Sequence, residues 1–256
     1  MTTFPKATIE GYPRIGANRE LKRALESYWA GRIDADTFRS TARALRVNNY
    51  NHLRDLGLTE DYAIPADVAL YDQVLDTALT VGLVPGGVDL DEEFALARGN
   101  DTRVPLEMTK WFDTNYHYLA PEFTVDQTFR LGSTKALDEY LEAKGQGIGT
   151  RPVLLGPVSY LLLGKTRGGD FDVLSLLPRL LPVYAEVLRS LARAGATWVQ
   201  LDEPCLVTDL SDEARAAFQV PATISGWRNT ARSWSMTAAS SISWRRSSTP
   251  RMISSV

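Results

Sequence analysis

Short, uninterrupted apolar runs alternate with helix-patterned stretches through most of this chain, and that alternation constrains the fold more than any other feature. The runs are "ATIEGYP" (7–13), "DVALY" (67–71), "RPVLLGPVSYLLL" (151–163) and "TWVQLDEP" (197–204). None alternates cleanly between apolar and polar, which predicts strands buried on both faces. Between them, "RELKRALESYWAG" places Leu21, Ala24, Leu25, Tyr28 and Trp29 at helical spacing, with Gly31 as a stop. "DADTFRSTARALRVNNYNHLRDLG" aligns Phe38, Ala42, Leu45, Leu53 and Leu56 on one stripe. "DQVLDTALTVGLVPGG" predicts a shorter helix ended by Gly82 or Pro85. "LSLLPRLLPVYAEVLRSLARAG" predicts a long one ended by Gly195, with Pro178 and Pro182 before or within its first turn. Strands alternating with helices imply βα units and a parallel sheet, hence an α/β fold. An open doubly wound sheet and a (β/α)8 barrel satisfy this pattern equally. No G-x-G-x-x-G or Walker motif follows a strand, so nucleotide-binding versions lose support.

Charge and cysteine usage narrow the function classes. A net charge of −3 over 256 residues gives no general attraction to nucleic acid or an anionic membrane. No apolar run approaches the ~20 residues of a membrane span. The start, "MTTFPKATIEG", lacks a basic-then-apolar secretory layout, so a cytoplasmic location is expected. One cysteine, Cys205, and two histidines, His52 and His117, cannot assemble a four-ligand structural zinc site, and no metal site is expected. His117 lies among aromatics in "TNYHYLAPEF", which predicts a packed, hydrogen-bonded imidazole. Cys205 reads as a small buried hydrophobe.

Two clusters of charge stand out. "GYPRIGANRELKRALESYW" (11–29) puts Arg14, Arg19, Lys22 and Arg23 where a loop turns into a helix. Helix starts favour acids, because the backbone dipole there is already positive, so cations at that place suit an external anion. The bland reading is a solvated helix face, with Arg14 as a structural partner. "LDEP" puts Asp202 and Glu203 at the C-terminal end of a strand, where barrel enzymes carry catalysts. Paired acids there can do general acid–base work; a remnant of duplication or a structural role is the reading preferred here, and no catalytic residue is assigned.

From Val220 onward the composition breaks. This stretch has no Asp, Glu or Lys, ten Ser, five Arg and three of the six Trp. Trp227, Trp234 and Trp244 follow no helical or strand period. Two regions are therefore expected: a domain over 1–219, and a low-complexity tail over 220–256 that is out of frame or disordered, with a composition unsuited to strands.

Three segments carry a family resemblance. "GYPRIGANRELKRALESYWAG", "EMTKWFDTNYHYLAPEF", and "PVLLGPVSYLLLGK" with "WVQLDEP" resemble the N-terminal half of cobalamin-independent methionine synthase, continuously from about Ile9 to Phe218. The resemblance implies a (β/α)8 barrel, here incomplete at five or six βα units. It implies an enzyme of two such barrels that transfers a methyl group from 5-methyltetrahydropteroyltri-L-glutamate to L-homocysteine. In that family a Zn2+ ion in the C-terminal barrel activates homocysteine, and its ligands are absent from this sequence. The resemblance also implies that the "RELK" string, Arg19, Glu20, Leu21 and Lys22, together with Lys110, contacts the folate polyglutamate tail, Glu20 through backbone. A lone chain of this kind is expected to be inactive, and a C-terminal barrel is a possible partner. The alternative is a non-catalytic module that binds folate polyglutamate or a partner chain.

Overall fold

A computed structural model describes residues 5–84, 89–112, 114–218, 234–238 and 241–246, the last two ranges as backbone. The first helices are α1 (Glu20–Trp29) and α2 (Ala35–Asp55). They pack through Leu21, Leu25, Phe38 and Leu45, the residues of the two apolar stripes, joined by Phe94. Asp34 starts α2 by accepting from Thr37 N at 2.8 Å, satisfying one of the donors that a helix start leaves open.

Strand β1 (Ile64–Ala66) and helices α3 (Gln73–Thr80) and α4 (Leu90–Arg98) follow. Asp72 caps α3, its Oδ1 accepting from Val74 N and Leu75 N, both at 2.8 Å. Gly82 ends that turn at φ 69°, a left-handed conformation that favours glycine. Next come an antiparallel pair, β2 (Met108–Lys110) and β3 (His117–Leu119), then β4 (Glu122–Phe123). Asp72 Oδ2 also accepts from Leu119 N at 3.1 Å, tying α3 to β3.

The second half contains α5 (Lys135–Gly145), β5 (Thr150–Leu155), α6 (Pro157–Leu162), β6 (Lys165–Thr166), α7 (Leu177–Ala194), β7 (Trp198–Asp202) and α8 (Asp212–Ala217). In α7, Leu177, Leu180, Leu181, Tyr184, Leu188 and Leu191 form one buried stripe at helical spacing. Tyr184 carries a hydroxyl into that stripe and donates it to Leu155 O at 2.7 Å, at the end of β5. Gly195 closes α7 at φ 101°.

The main sheet runs β1-β5-β7-β9-β8, where β8 is Trp234–Ala238 and β9 is Ser241–Arg246. β1–β5 and β5–β7 are parallel, as the alternating pattern predicts, with Ile64 opposite Thr150 and Val153 opposite Gln200. The architecture is mixed α/β, and among the described residues the strands do not close into a barrel.

Four local expectations need correction. The first apolar run, "ATIEGYP", forms no strand. Its carbonyls are taken by side chains instead: Arg151 Nη2 donates to Ile9 O at 3.0 Å and Gln200 Nε2 to Glu10 O at 3.1 Å. "DVALY" follows the strand rather than forming it, because β1 ends at Ala66. Pro182 lies inside α7, while Pro178 takes its start. The tail supplies two strands: β9 pairs antiparallel with β7, and β8 with β9. A parallel strand with a free edge presents unpaired N–H and C=O groups to any chain able to extend, and Thr, Ile and Trp favour extension. These strands are antiparallel, so they do not continue the βα repeat. The rest of the tail, including Trp227, lies outside the described residues.

Candidate functional site

The N-terminal segment is pinned across the strand ends by a buried polar net. Arg151, 2% exposed, donates from Nε and Nη2 to Gln200 Oε1 at 2.9 and 2.7 Å, and from Nη1 to Tyr62 O at 2.6 Å. Gln200 Nε2 also donates to Asp202 Oδ1 at 2.7 Å. Farther along, Arg14 donates to Ala69 O at 3.2 Å, to Leu70 O at 3.0 Å and to Tyr71 O. Its partners are carbonyls rather than a carboxylate, and its role is to hold the loop after β1.

The "RELK" string begins α1. Arg19 sits just before the helix at φ 61°, and its residue is exposed. Glu20 turns back on the loop, accepting from Asn18 N at 3.0 Å and Asn18 Nδ2 at 3.2 Å. Backbone hydrogen bonds, led by that of its own residue, lower its pKa. Gly16 is held at φ 84°, a left-handed conformation that favours glycine. Leu21 is fully buried, and its N–H donates to Ile15 O at 3.1 Å. Lys22 is exposed and pairs with Glu26 one turn on, at 3.7 Å.

Lys110 is exposed on β2, directly opposite His117 on β3. Opposite residues of an antiparallel pair share a face. His117 is exposed, not packed; the neighbouring Tyr118 takes the buried place and donates its hydroxyl to Leu163 O at 2.8 Å. A groove of about 290 Å3 runs between α1 and this hairpin, lined by Lys22, Glu26 and Trp29 on one side and Met108, Tyr116 and His117 on the other. Lys22 thus lies on one wall and the hairpin forms the other, while Lys110 and Arg19 are not among the residues lining the groove. Leu21 and Glu20 face elsewhere.

A larger cleft of about 640 Å3 opens beside the C-terminal ends of β1, β5 and β7, and Arg14 borders both spaces. Asp67, Asp202, Trp111 and Phe112 line it. Burial, reinforced by the Asp202 charge, raises the Asp67 pKa to about 7. Burial raises Asp202 to about 6. Glu203 lies just past the end of β7, at φ −115° and ψ 71°. It is 3% exposed and accepts from Val158 N at 3.2 Å and Ser159 N at 2.7 Å, capping α6, whose own cap position is the side-chain-less Gly156. Burial lifts its pKa to about 7. Its carboxylate thus caps the start of α6.

Along the cleft wall an ionic net joins three helices. Lys135 Nζ lies 3.0 Å from Asp76 Oδ2 and 2.8 Å from Glu139 Oε1; Arg46 reaches Glu139 at 3.0 Å and Glu142 at 2.9 Å. Asp67, Lys135, Arg151 and Gln200 escaped the sequence reading. Asp67 alone had a usable signal, an acid just past a strand end, hidden by placing that strand three residues late. Cys205 is buried, and burial pushes its thiol up to about 11. The chain's cysteine and histidines do not fit a zinc site. Cys205 follows β7, His52 lies in α2 and His117 in β3, and among the described residues no three His, Cys, Asp or Glu are grouped to hold a metal.

Comparison with known families decides what this architecture belongs to. Residues 6–223 match the family model described as "Cobalamin-independent synthase, N-terminal domain". The chain belongs to this family. Curated relatives of the synthase carry the name 5-methyltetrahydropteroyltriglutamate–homocysteine methyltransferase. That of Salinibacter ruber is 56% identical over 223 residues, covering 81% of this chain and 29% of that protein. That of Caulobacter vibrioides is 53% identical over 241 residues, covering 84% and 30%. That of Streptomyces coelicolor is 54% identical over 215 residues, covering 80% and 28%. The chain therefore spans about three-tenths of the length of these synthases. Among the described residues no helix is long and apolar enough to cross a membrane.

Proposed function

We propose that this chain is the folate-polyglutamate-binding N-terminal part of a cobalamin-independent methionine synthase. The whole enzyme transfers the methyl group of 5-methyltetrahydropteroyltri-L-glutamate to L-homocysteine. The observation that carries this reading is the groove with Lys22 on one wall and the Lys110 hairpin as the other. Each glutamate of the tail adds a carboxylate, so the ligand is a flexible polyanion. Lysine offers mobile point charges and arginine a planar fork, which together suit several carboxylates. Arg19 adds the fork at the helix start.

The finer reading is that β1, β5 and β7 belong to a (β/α)8 barrel within residues 1–219, and that 220–256 is a tail foreign to the family. The end of the family match at residue 223 supports that division. Homocysteine and Zn2+ belong to a C-terminal barrel, the partner this chain needs, and the setting is the cytoplasm. Isothermal titration with methylfolate mono- and triglutamate tests the reading. Tighter triglutamate binding, diminished in Lys22→Ala and Lys110→Ala, is expected; equal affinity for the two ligands would reject it. Incubated with homocysteine, Zn2+ and methylfolate triglutamate, the chain alone should give no methionine above blank.

A further inference from the structure

On the hairpin wall of the Lys22 groove the lining base is His117, not Lys110. Lys110 and His117 stand directly opposite in the β2–β3 ladder, and opposite residues of an antiparallel pair hold their Cβ atoms about 5 Å apart on one face. Lys22, with a side chain 52% exposed, stands on the other wall. Strand alternation turns Tyr118 inward and leaves His117 outward. The imidazole is uncommitted: the residue is exposed, and among the described residues its ring has no hydrogen bond or ion pair. Ile15, Met108 and Tyr116, all exposed, line the same groove and offer apolar surface to the methylene arms of a glutamyl chain.

The other charged or titratable groups on this groove are Arg14, Glu26, Tyr71, Asp72, Tyr116 and Tyr118. On the hairpin beside it, Glu107 is paired with Lys165. Arginine, lysine, tyrosine and glutamate side chains ordinarily keep one charge state between pH 6 and 8. Histidine does not, since an unperturbed imidazole takes its proton near pH ~6.5. Asp72 is the other group that can change, because burial raises its pKa to about 6. Its carboxylate is turned into the protein, accepting from the N–H groups of Val74, Leu75 and Leu119.

In the empty groove the lysine charges oppose an imidazolium. A glutamyl carboxylate, ionised throughout this range, favours it. We propose that His117 is a further cation of the tail site, engaging a glutamyl carboxylate as imidazolium and thereby making the grip on the polyglutamate tail pH-dependent. This rests on the tail-binding reading and adds a residue and a proton to it.

Titration calorimetry of the full chain with methylfolate mono- and triglutamate at pH 6 and pH 8 is the test. The preference for triglutamate should be about threefold larger at pH 6, the size of an exposed ion pair. His117→Gln keeps a hydrogen-bonding side chain without the charge; it should abolish that gain and leave the preference at pH 8 in place. In the chain with His117 intact, its imidazole C–H NMR signals, told from those of His52 by His52→Gln, should titrate about half a pH unit higher with triglutamate than with monoglutamate, the same threefold. A gain at pH 6 that persists in His117→Gln would assign the proton to Asp72 and overturn the proposal while the tail-binding reading stands. A His117 midpoint that triglutamate leaves unmoved would overturn it in the same way, with no variant of His117 needed. Equal affinity for the two ligands at both pH values would reject the tail-binding reading and this proposal with it.

Discussion

Replacing Gly156 with alanine isolates the role of Glu203. Gly156 has φ −70° and ψ 150°, a backbone that any residue adopts, so the substitution strains nothing locally. The added Cβ, however, would lie 2.1 Å from Glu203 Cδ and 2.2 Å from its Oε1. The carboxyl must leave, and its bonds to Val158 N and Ser159 N go with it. Two buried hydrogen bonds to such a group, at ~1.5 kcal/mol each, put the loss at about 3 kcal/mol. In a chain of this size that lowers the melting temperature by roughly 6–12 °C. Glu203→Ala deletes the same two bonds and should cost a similar amount. Both changes remove one cap, so the double variant should be about as stable as Glu203→Ala alone, a coupling of about 3 kcal/mol. Urea titrations of the four proteins measure it. Additive losses of about 6 kcal/mol in the double variant would refute the steric argument.

Other consequences are equally open to measurement. Arg46 is buried between Glu139 and Glu142, so Arg46→Ala leaves uncompensated charge and should cost ~3–5 kcal/mol in urea melts. The pKa of Asp67 is raised to about 7 and that of Asp202 to about 6, both above the ~4 of an unfolded chain. The folded state therefore binds more protons across that window, and stability should fall as pH rises from about 4 to 7. Asp67→Asn should then raise the melting temperature at pH 8 and change it little at pH 4. In the groove, Lys22 is half exposed, so Lys22→Ala and Lys110→Ala should each weaken triglutamate binding only about two- to fivefold, the effect shrinking in high salt.

Periodicity made the elements legible wherever packing follows a stripe. Phe38, Ala42 and Leu45 in α2, and the leucines of α7, are buried as their spacing predicts. It failed where side chains replace the backbone ladder. Ile9 and Glu10 give their carbonyls to Arg151 and Gln200, residues some 140 and 190 positions away that no local pattern connects. Capping acids were readable only in part. Asp72 was expected to precede a helix, but Glu203 caps a helix that starts 46 residues earlier, at Pro157. For the candidate site, Lys22 and Lys110 were named through the family resemblance, and the groove between their elements is a tertiary fact. Asp67 was lost to an error of strand placement, and Lys135 to its position at the start of a helix without an apolar signature.

The most direct test is a crystal structure of the chain bound to methylfolate triglutamate. The account predicts glutamyl carboxylates within about 4 Å of the Lys22 and Lys110 ammonium groups, the reach of an ion pair, with Arg19 beside them. A tail resolved elsewhere on the surface, away from all three residues, would contradict it.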